Sequence, residues 1–244
     1  MFTPVERQGA ADAVFEQVAD EIVAGNLAPG QTLPAERALA QSLSVSRPAL
    51  REALQRLAQA GLVHIRQGGG TRVTDWDTQA GLDLLPRLLF RRDGSLNADV
   101  VQSIFEMREV LGVDAARLCA QRADTAVVAA IQQTAADLTP AVPLTQRATQ
   151  CLQLWRQIIA GSGNVAYKMA FNSMNAAYLP ALPVVAELLS EELRDTAAHQ
   201  NLATAIAQRD PTAAQLAARV VLSRSSQRRD EALAAIRTTQ SEEA

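Results

Sequence analysis

Leu33-Pro34-Ala35-Glu36-Arg37, followed after a short gap by Val45-Ser46-Arg47-Pro48-Ala49-Leu50-Arg51-Glu52-Ala53-Leu54, is the stretch on which the reading of this chain turns. In the second run Leu50, Ala53, Leu54 and Leu57 recur at helical spacing and form one apolar stripe. Ser46 stands where an N-cap belongs, Pro48 falls in the first turn where a missing N–H is harmless, and Gly61 lies just past the last apolar position. The spacing therefore predicts a helix from the Ser46 cap through Ala60. Arg47 and Arg51 sit one turn apart at its N-terminal end, on the side away from the leucines.

Working outward, Pro34 opens a helix of about two turns carrying Ala38, Leu39 and Leu43 to one side. Upstream, Val14, Val18, Ile22 and Val23 mark a helix over 11–24, ended by Gly25 with Pro29 and Gly30 beyond. Downstream, 62–66 and 71–74 read as short strands joined by Gln67-Gly68-Gly69-Gly70, a hairpin with a flexible tip. Three helices and a hairpin in this order are a winged helix-turn-helix. The loop joins strand to strand and no Gly-Lys-Ser/Thr follows it, so its glycines are not a P-loop.

The chain of 244 residues is 48% hydrophobic and 20% charged, a balance that supports a sizeable core and suits two domains. Its net charge of −3 does not advertise nucleic-acid binding, yet six arginines between Arg37 and Arg72 face Glu52 alone, a local charge of +5. Cys119 and Cys151 lack CxxC spacing and read as buried thiols of a reducing compartment, the cytoplasm. No apolar run reaches the roughly 18 residues of a membrane span, and no secretory leader is expected at the N-terminus.

Beyond Gln79 only helical periodicity remains, punctuated at Asp93-Gly94, 139–143, 161–163, 180–183 and Asp210-Pro211. The expected fold is thus mainly α: a winged helix-turn-helix over 1–75, then an all-helical bundle over 76–240, whose facing helices can leave a cavity for a small ligand. Six or so helices are expected, with a tail that frays after Arg237.

The run from Leu33 to Val63 resembles the DNA-binding domain of the GntR superfamily over about residues 10 to 74. The resemblance implies a dimeric repressor or activator whose third helix enters the major groove and whose wing tip reaches the adjacent minor groove. Arg47 and Arg51 would donate to guanine O6 and N7, Ser46 to phosphate, and Arg37 would join them. On the wing, Gly68 and Gly69 would allow close approach to the sugar-phosphate edge, with Gln67 and Arg72 contacting groove or phosphate. The partner is palindromic double-stranded operator DNA read by a homodimer.

Trp76, Gly81-Leu82, Met107-Arg108-Glu109-Val110-Leu111 and Gly161-Ser162-Gly163-Asn164 are similar to the FadR subfamily and its helical effector domain. This resemblance implies a small-molecule effector such as long-chain acyl-CoA or a related acyl or carboxylate metabolite. Many members hold a divalent metal with one Asp and three His; here those positions fall at Cys151, Trp155, His199 and near Val221, so no metal and no cofactor is expected. Arg108 lies among Ile104, Phe105, Val110 and Leu111, where a charge needs either a carboxylate neighbour such as Glu109 or an anionic ligand. Its position matches an arginine at the acyl-CoA pocket of the subfamily, which favours a ligand anchor. Trp155, Asn164, Tyr178, His199 and Ser223 are further candidates for the pocket. Arg219, Val220 and Gln227 depart from the subfamily's CoA-contacting residues and leave the effector open.

Two classes of function compete at this point. A ligand-responsive regulator accounts for the basic third helix and the glycine-tipped hairpin. An acyl-thioester carrier or enzyme would need a nucleophile, a base and an orienting group, and Cys151 with His199 has no third member. The regulator is the expectation, sensing either an acyl metabolite or an unrelated organic acid, and no catalytic activity is expected.

Overall fold

In the first unit, α1 (Ala10–Val23) packs on α3 (Arg47–Gln59), and α2 (Glu36–Ser42) packs on α3 beside it. Val14, Val18 and Ile22 from α1 and Leu50, Leu54 and Leu57 from α3 are all buried, each leucine contributing about 1.5–3 kcal/mol relative to exposure. The spacing that marked these residues in the sequence is the spacing that puts them on one face. Ser46 caps α3 by accepting a hydrogen bond from the Ala49 N–H at 3.3 Å, and Ser44 turns the chain between α2 and α3 at φ 55°.

The wing is an antiparallel pair, β1 (Val63–Arg66) with β2 (Gly70–Val73), in the register Val63 to Val73, His64 to Arg72, Ile65 to Thr71 and Arg66 to Gly70. The outer edge of β2 is covered by the preceding loop: Leu33 N–H donates to Thr71 O at 2.8 Å and Val73 N–H to Gln31 O at 2.8 Å. Gly61 must be glycine twice over, because its φ is 73° and a Cβ there would lie 2.9 Å from Gln79 O. That contact sets α4 (Trp76–Gln79) against the winged domain.

The computed structural model describes residues 9–66, 70–91, 94–139 and 141–242, and separates into two compact units, 1–84 and 85–244. The division falls later than the one placed after Asp75, with α4 and a 3-10 turn at Leu82–Leu84 in the first unit. Gln67, Gly68 and Gly69, the expected wing tip, lie outside the described residues.

The second unit is helical throughout, with a single isolated bridge between Phe90 and Leu96 among the described residues. Its helices are α5 (Leu85–Leu88), α6 (Ala98–Arg122), α7 (Thr125–Ala136), α8 (Leu144–Gly161), α9 (Val165–Tyr178), α10 (Leu182–Leu188), α11 (Ser190–Arg194), α12 (Thr196–Ala207), α13 (Pro211–Ser223) and α14 (Ser226–Glu242). These exceed the six or so expected because several boundaries carry neither glycine nor proline. Asp124 caps α7 through the Val127 N–H at 2.8 Å, and Asp195 caps α12 through the Ala198 N–H at 2.9 Å. The long α6 is the spine, packed by α8, α12 and α13. The tail expected to fray after Arg237 continues as helix through Glu242.

Candidate nucleic-acid interface and effector cavity

On the first unit Arg37, Arg47, Arg66 and Arg72 are exposed and form no ion pair among the described residues. Ser46 is exposed at the head of α3, and its hydroxyl, while accepting from Ala49, keeps its own O–H free to donate. Arg51 is different: its Nε donates to Glu36 at 2.7 Å, a bridge from α3 to α2 whose side chains remain 68% and 38% exposed. Arg56, counted in the basic stretch, has another task. It pairs with Asp12 and lies over the Phe15 ring at 4.7 Å, fastening α3 to α1. That hydrogen bond, with one from the Gly9 N–H, holds the Asp12 carboxyl below its usual range. Among the described residues the free positive charge of the basic stretch therefore resides in Arg37, Arg47, Arg66 and Arg72, with Arg51 held in place by a carboxylate.

The second unit encloses a cavity with about 610 Å³ of space free of protein atoms, part of it open to solvent. Its wall is mostly apolar: Gly112, Trp155, Phe171, Met174, Val185 and Leu222 line it. Gly112 makes the room, because a Cβ there would lie 2.8 Å from Leu222 Cδ1 and 3.3 Å from Trp155 Cζ3. A neighbouring hollow, also partly open to solvent, has about 420 Å³ free of protein atoms; it is walled by Leu89, Val101, Ile104, Phe105 and Leu188 and shares Arg108, Tyr178, Val185 and Leu189 with the first. Two apolar chambers thus meet at a polar partition.

Glu192, on the wall of the first chamber only, is the counter-charge of the Arg108 that both chambers share. Arg108 donates Nη1 to Glu192 Oε2 at 3.0 Å and Nη2 to Oε1, a two-pronged pair with side-chain exposures of 14% and 0%. Burial alone would favour the neutral guanidine; the charge and hydrogen bonds of Glu192 outweigh it and push the Arg108 pKa up. The counter-charge that the sequence demanded for Arg108 is therefore Glu192, eighty-four positions away, in place of Glu109. Glu192 is anchored in turn by its backbone N–H, which donates to the buried Ser225 hydroxyl at 2.8 Å.

Of the other candidates, Trp155 and Tyr178 line the cavity. Trp155 Nε1 is buried with no hydrogen-bond partner among the described residues, and the Tyr178 hydroxyl donates to Asn175 Oδ1. Three candidates are not brought to the cavity wall. Asn164 caps α9, accepting from Ala166 N–H at 3.0 Å and Tyr167 N–H at 3.3 Å. Ser223 is exposed at the end of α13. His199 is fully buried, with Nδ1 2.9 Å from Asp195 O and Nε2 unpartnered. Arg219, Val220 and Gln227 are likewise exposed. The motif 161–164 is architectural: a Cβ on Gly161 would come within 2.6 Å of Cys119 Sγ, and Gly163 turns the chain at φ 65°.

A metal does not fit the positions that the subfamily resemblance singles out. Trp155 and Val221 offer no ligand atom for one, and burial pushes the Cys151 thiol up to about 12. Among the described residues no group of three or more His, Cys, Asp or Glu converges. Sequence reasoning missed Glu192, Gly112, Phe171 and Met174; the one signal available was that Arg108, in an apolar stretch, required a partner.

A family profile described as "Bacterial regulatory proteins, gntR family" matches residues 10–73, and one described as "FCD domain" matches residues 103–224. The chain is 41% identical over 221 residues to the HTH-type transcriptional regulator Mce2R of Mycobacterium tuberculosis, covering 90% of this chain and 91% of that one. It is 30% identical over 176 residues to the fatty acid metabolism regulator protein of Enterobacter sp., covering 71% of each. Among solved structures, Lar of Listeria monocytogenes superposes with a TM-score of 0.57 at 16% identity, over 93% of this chain and 99% of that one, which bears on the fold. No helix among the described residues is long and apolar enough to cross a membrane. With a winged DNA-binding unit and a helical unit that encloses a cavity, the chain belongs to the GntR family of bacterial regulatory proteins and is a ligand-responsive transcription regulator, not an enzyme.

Proposed function

We propose that a homodimer of this chain binds a palindromic operator through α3 and the wing, and releases it when an acyl metabolite such as a long-chain acyl-CoA enters the helical unit. The observation that carries the DNA reading is Arg47, exposed and unpaired at the head of α3, opposite the buried leucines. A guanidinium so placed suits the O6 and N7 of a guanine, while Ser46 and the helix N-terminus suit a phosphate. Arg37, Arg51 and Arg72 add contacts on either side, and Gln67, Gly68 and Gly69 are the further DNA-contacting residues of this reading. Two copies would address half-sites about one helical turn, or 34 Å, apart. Val110 on α6 and Leu216 and Val220 on α13 leave apolar side chains exposed on two helices that pack together, which supports the second unit as the place where copies meet.

The acyl reading rests on the apolar character of the two chambers and is supported by the similarity to the fatty acid metabolism regulator protein. Release requires that the ligand bind the two states of the protein unequally. The test is a gel shift on fragments of the protein's own promoter, with and without palmitoyl-CoA. Arg47→Ala and Arg51→Ala should each lose about 1–3 kcal/mol of operator affinity with the fold intact. Full affinity in both variants refutes the recognition assignment. Binding that palmitoyl-CoA does not reverse keeps the regulator and rejects the acyl effector.

A further inference from the structure

Arg147 is the least compensated charge in the interior of the helical unit. On α8, its residue is 2% exposed. Its one hydrogen bond among the described residues runs from Nη2 to Thr196 Oγ1 at 2.6 Å; Nε has no partner, and no carboxylate pairs with it. A guanidinium offers five N–H donors and carries a full charge, so burying it against a single hydroxyl is unfavourable unless an anion completes the site. Arg108 supplies the contrast: less deeply buried, it is neutralised on both prongs by Glu192 and has no need of a ligand's charge.

The surroundings of Arg147 deepen the deficit. Thr196 is the first residue of α12, a helix of 12 residues whose N-terminal end carries partial positive charge. The nearest carboxylate in sequence, Asp195, is committed elsewhere, to the Ala198 N–H and to Arg224 Nε at 2.7 Å. Three residues beyond Thr196 on the same face of α12, buried His199 Nε2 is also without a partner. The site adjoins the cavity through small side chains, since Ala148 and Cys151, respectively next to Arg147 and one turn on, both line it. The Cys151 thiol feels the charge of Arg147, which opposes the effect of burial.

We propose that Arg147, with the hydroxyl of Thr196, is an oxyanion-docking point of the effector unit, taking the carboxylate or phosphate head of an amphiphile whose apolar part lies in the adjoining cavity. This deepens the effector reading above and rests on it for the premise that the cavity receives a small molecule. The anchor expected from the sequence, Arg108, becomes a partition and Arg147 the recognition group.

Calorimetric titration of the full-length protein with octanoate, octyl phosphate and 1-octanol tests this, the three sharing one tail and differing in the head. The two anions should bind at least about tenfold more tightly than the alcohol, the measure of a charge-assisted hydrogen bond. A preference for octyl phosphate over octanoate would identify the head as phosphate, and the reverse as carboxylate. Arg147→Met should bind all three alike, with a Tm in the absence of ligand no lower than that of the parent protein. Arg147→Lys, which keeps the charge and loses the fork, should weaken both anions about tenfold and leave octanol unchanged, so a failure of the methionine variant to fold does not protect the idea. Equal binding of octanol and the anions, no binding of either anion, or a preference that survives in both variants overturns the site. Operator release is followed in parallel. Anions that bind through Arg147 and leave DNA bound sink the effector reading alone, whereas undiminished release of Arg147→Met by palmitoyl-CoA sinks the docking point alone.

Discussion

Arg47 and Arg108 carry the same guanidinium into opposite surroundings. Arg47 stands in water on α3 with no counter-ion among the described residues, while Arg108 is folded into the helical unit and gripped on both prongs by a carboxylate with no exposure of its own. An exposed cation keeps its hydration and remains on offer to a phosphate or a base edge; a buried one must find its counter-charge within the fold. The first unit thus leaves guanidinium charge exposed at Arg37, Arg47, Arg66 and Arg72, whereas the second answers its interior Arg108 with Glu192 and leaves the buried Arg147 without a carboxylate among the described residues.

The contrast breaks hardest at Glu192. Glu192→Ala would strand Arg108 in the interior, and urea denaturation should show a loss of about 3–5 kcal/mol; a loss below about 1 kcal/mol would mean that the pair is dispensable. Next in size is Gly112→Ala, whose added methyl meets Leu222 and Trp155 and should lower stability by about 1–3 kcal/mol through overpacking. Thermal melts read that change, and an unaltered Tm would show that the chamber yields freely. In the winged unit the effects should be smaller. Ser46→Ala removes the cap on α3 and should lower the unfolding free energy by about 1 kcal/mol, with weaker operator binding as a second readout.

Glu36→Gln sharpens the contrast from the other side. The bridge to Arg51 is exposed, so stability should shift by less than about 1 kcal/mol, whereas freeing Arg51 should tighten DNA binding and steepen the log–log salt dependence by about 0.9. An unchanged slope in anisotropy titrations would mean that Arg51 already reaches the phosphates. The smallest expected effect is a null result: burial pushes both Cys119 and Cys151 thiols up to about 12, so neither should react with iodoacetamide at pH 7 in the folded protein. Rapid labelling of Cys151 would reveal a cavity open to reagents.

The same contrast explains what could be read in advance. The winged domain was legible because its cues are local: the Ser46 cap, the leucine stripe of α3 and the stop at Gly61 lie within sixteen residues of each other. The cavity was not, because its decisive pair joins α6 to α11 across eighty-four positions, and no periodicity carries that distance. Trp155 and Tyr178, named from the sequence as candidates, do line the cavity. Asn164 was drawn in by a loop motif whose purpose is to begin α9, and Ser223 by a position on α13 that turned outward. Arg56 shows the limit even for local cues, since counting arginines cannot tell one that faces solvent from one that staples two helices.

The hydroxyl of Ser46 looks both ways, its lone pair turned inward to α3 and its hydrogen left for whatever lies outside. Aspartate would begin the helix equally well, yet it would set a negative charge against the polyanion that the proposed complex brings there. An architectural signal and a docking preference thus share one oxygen atom, and the choice among the ordinary helix-starting residues at this position sorts those that welcome a nucleic acid from those that turn it away.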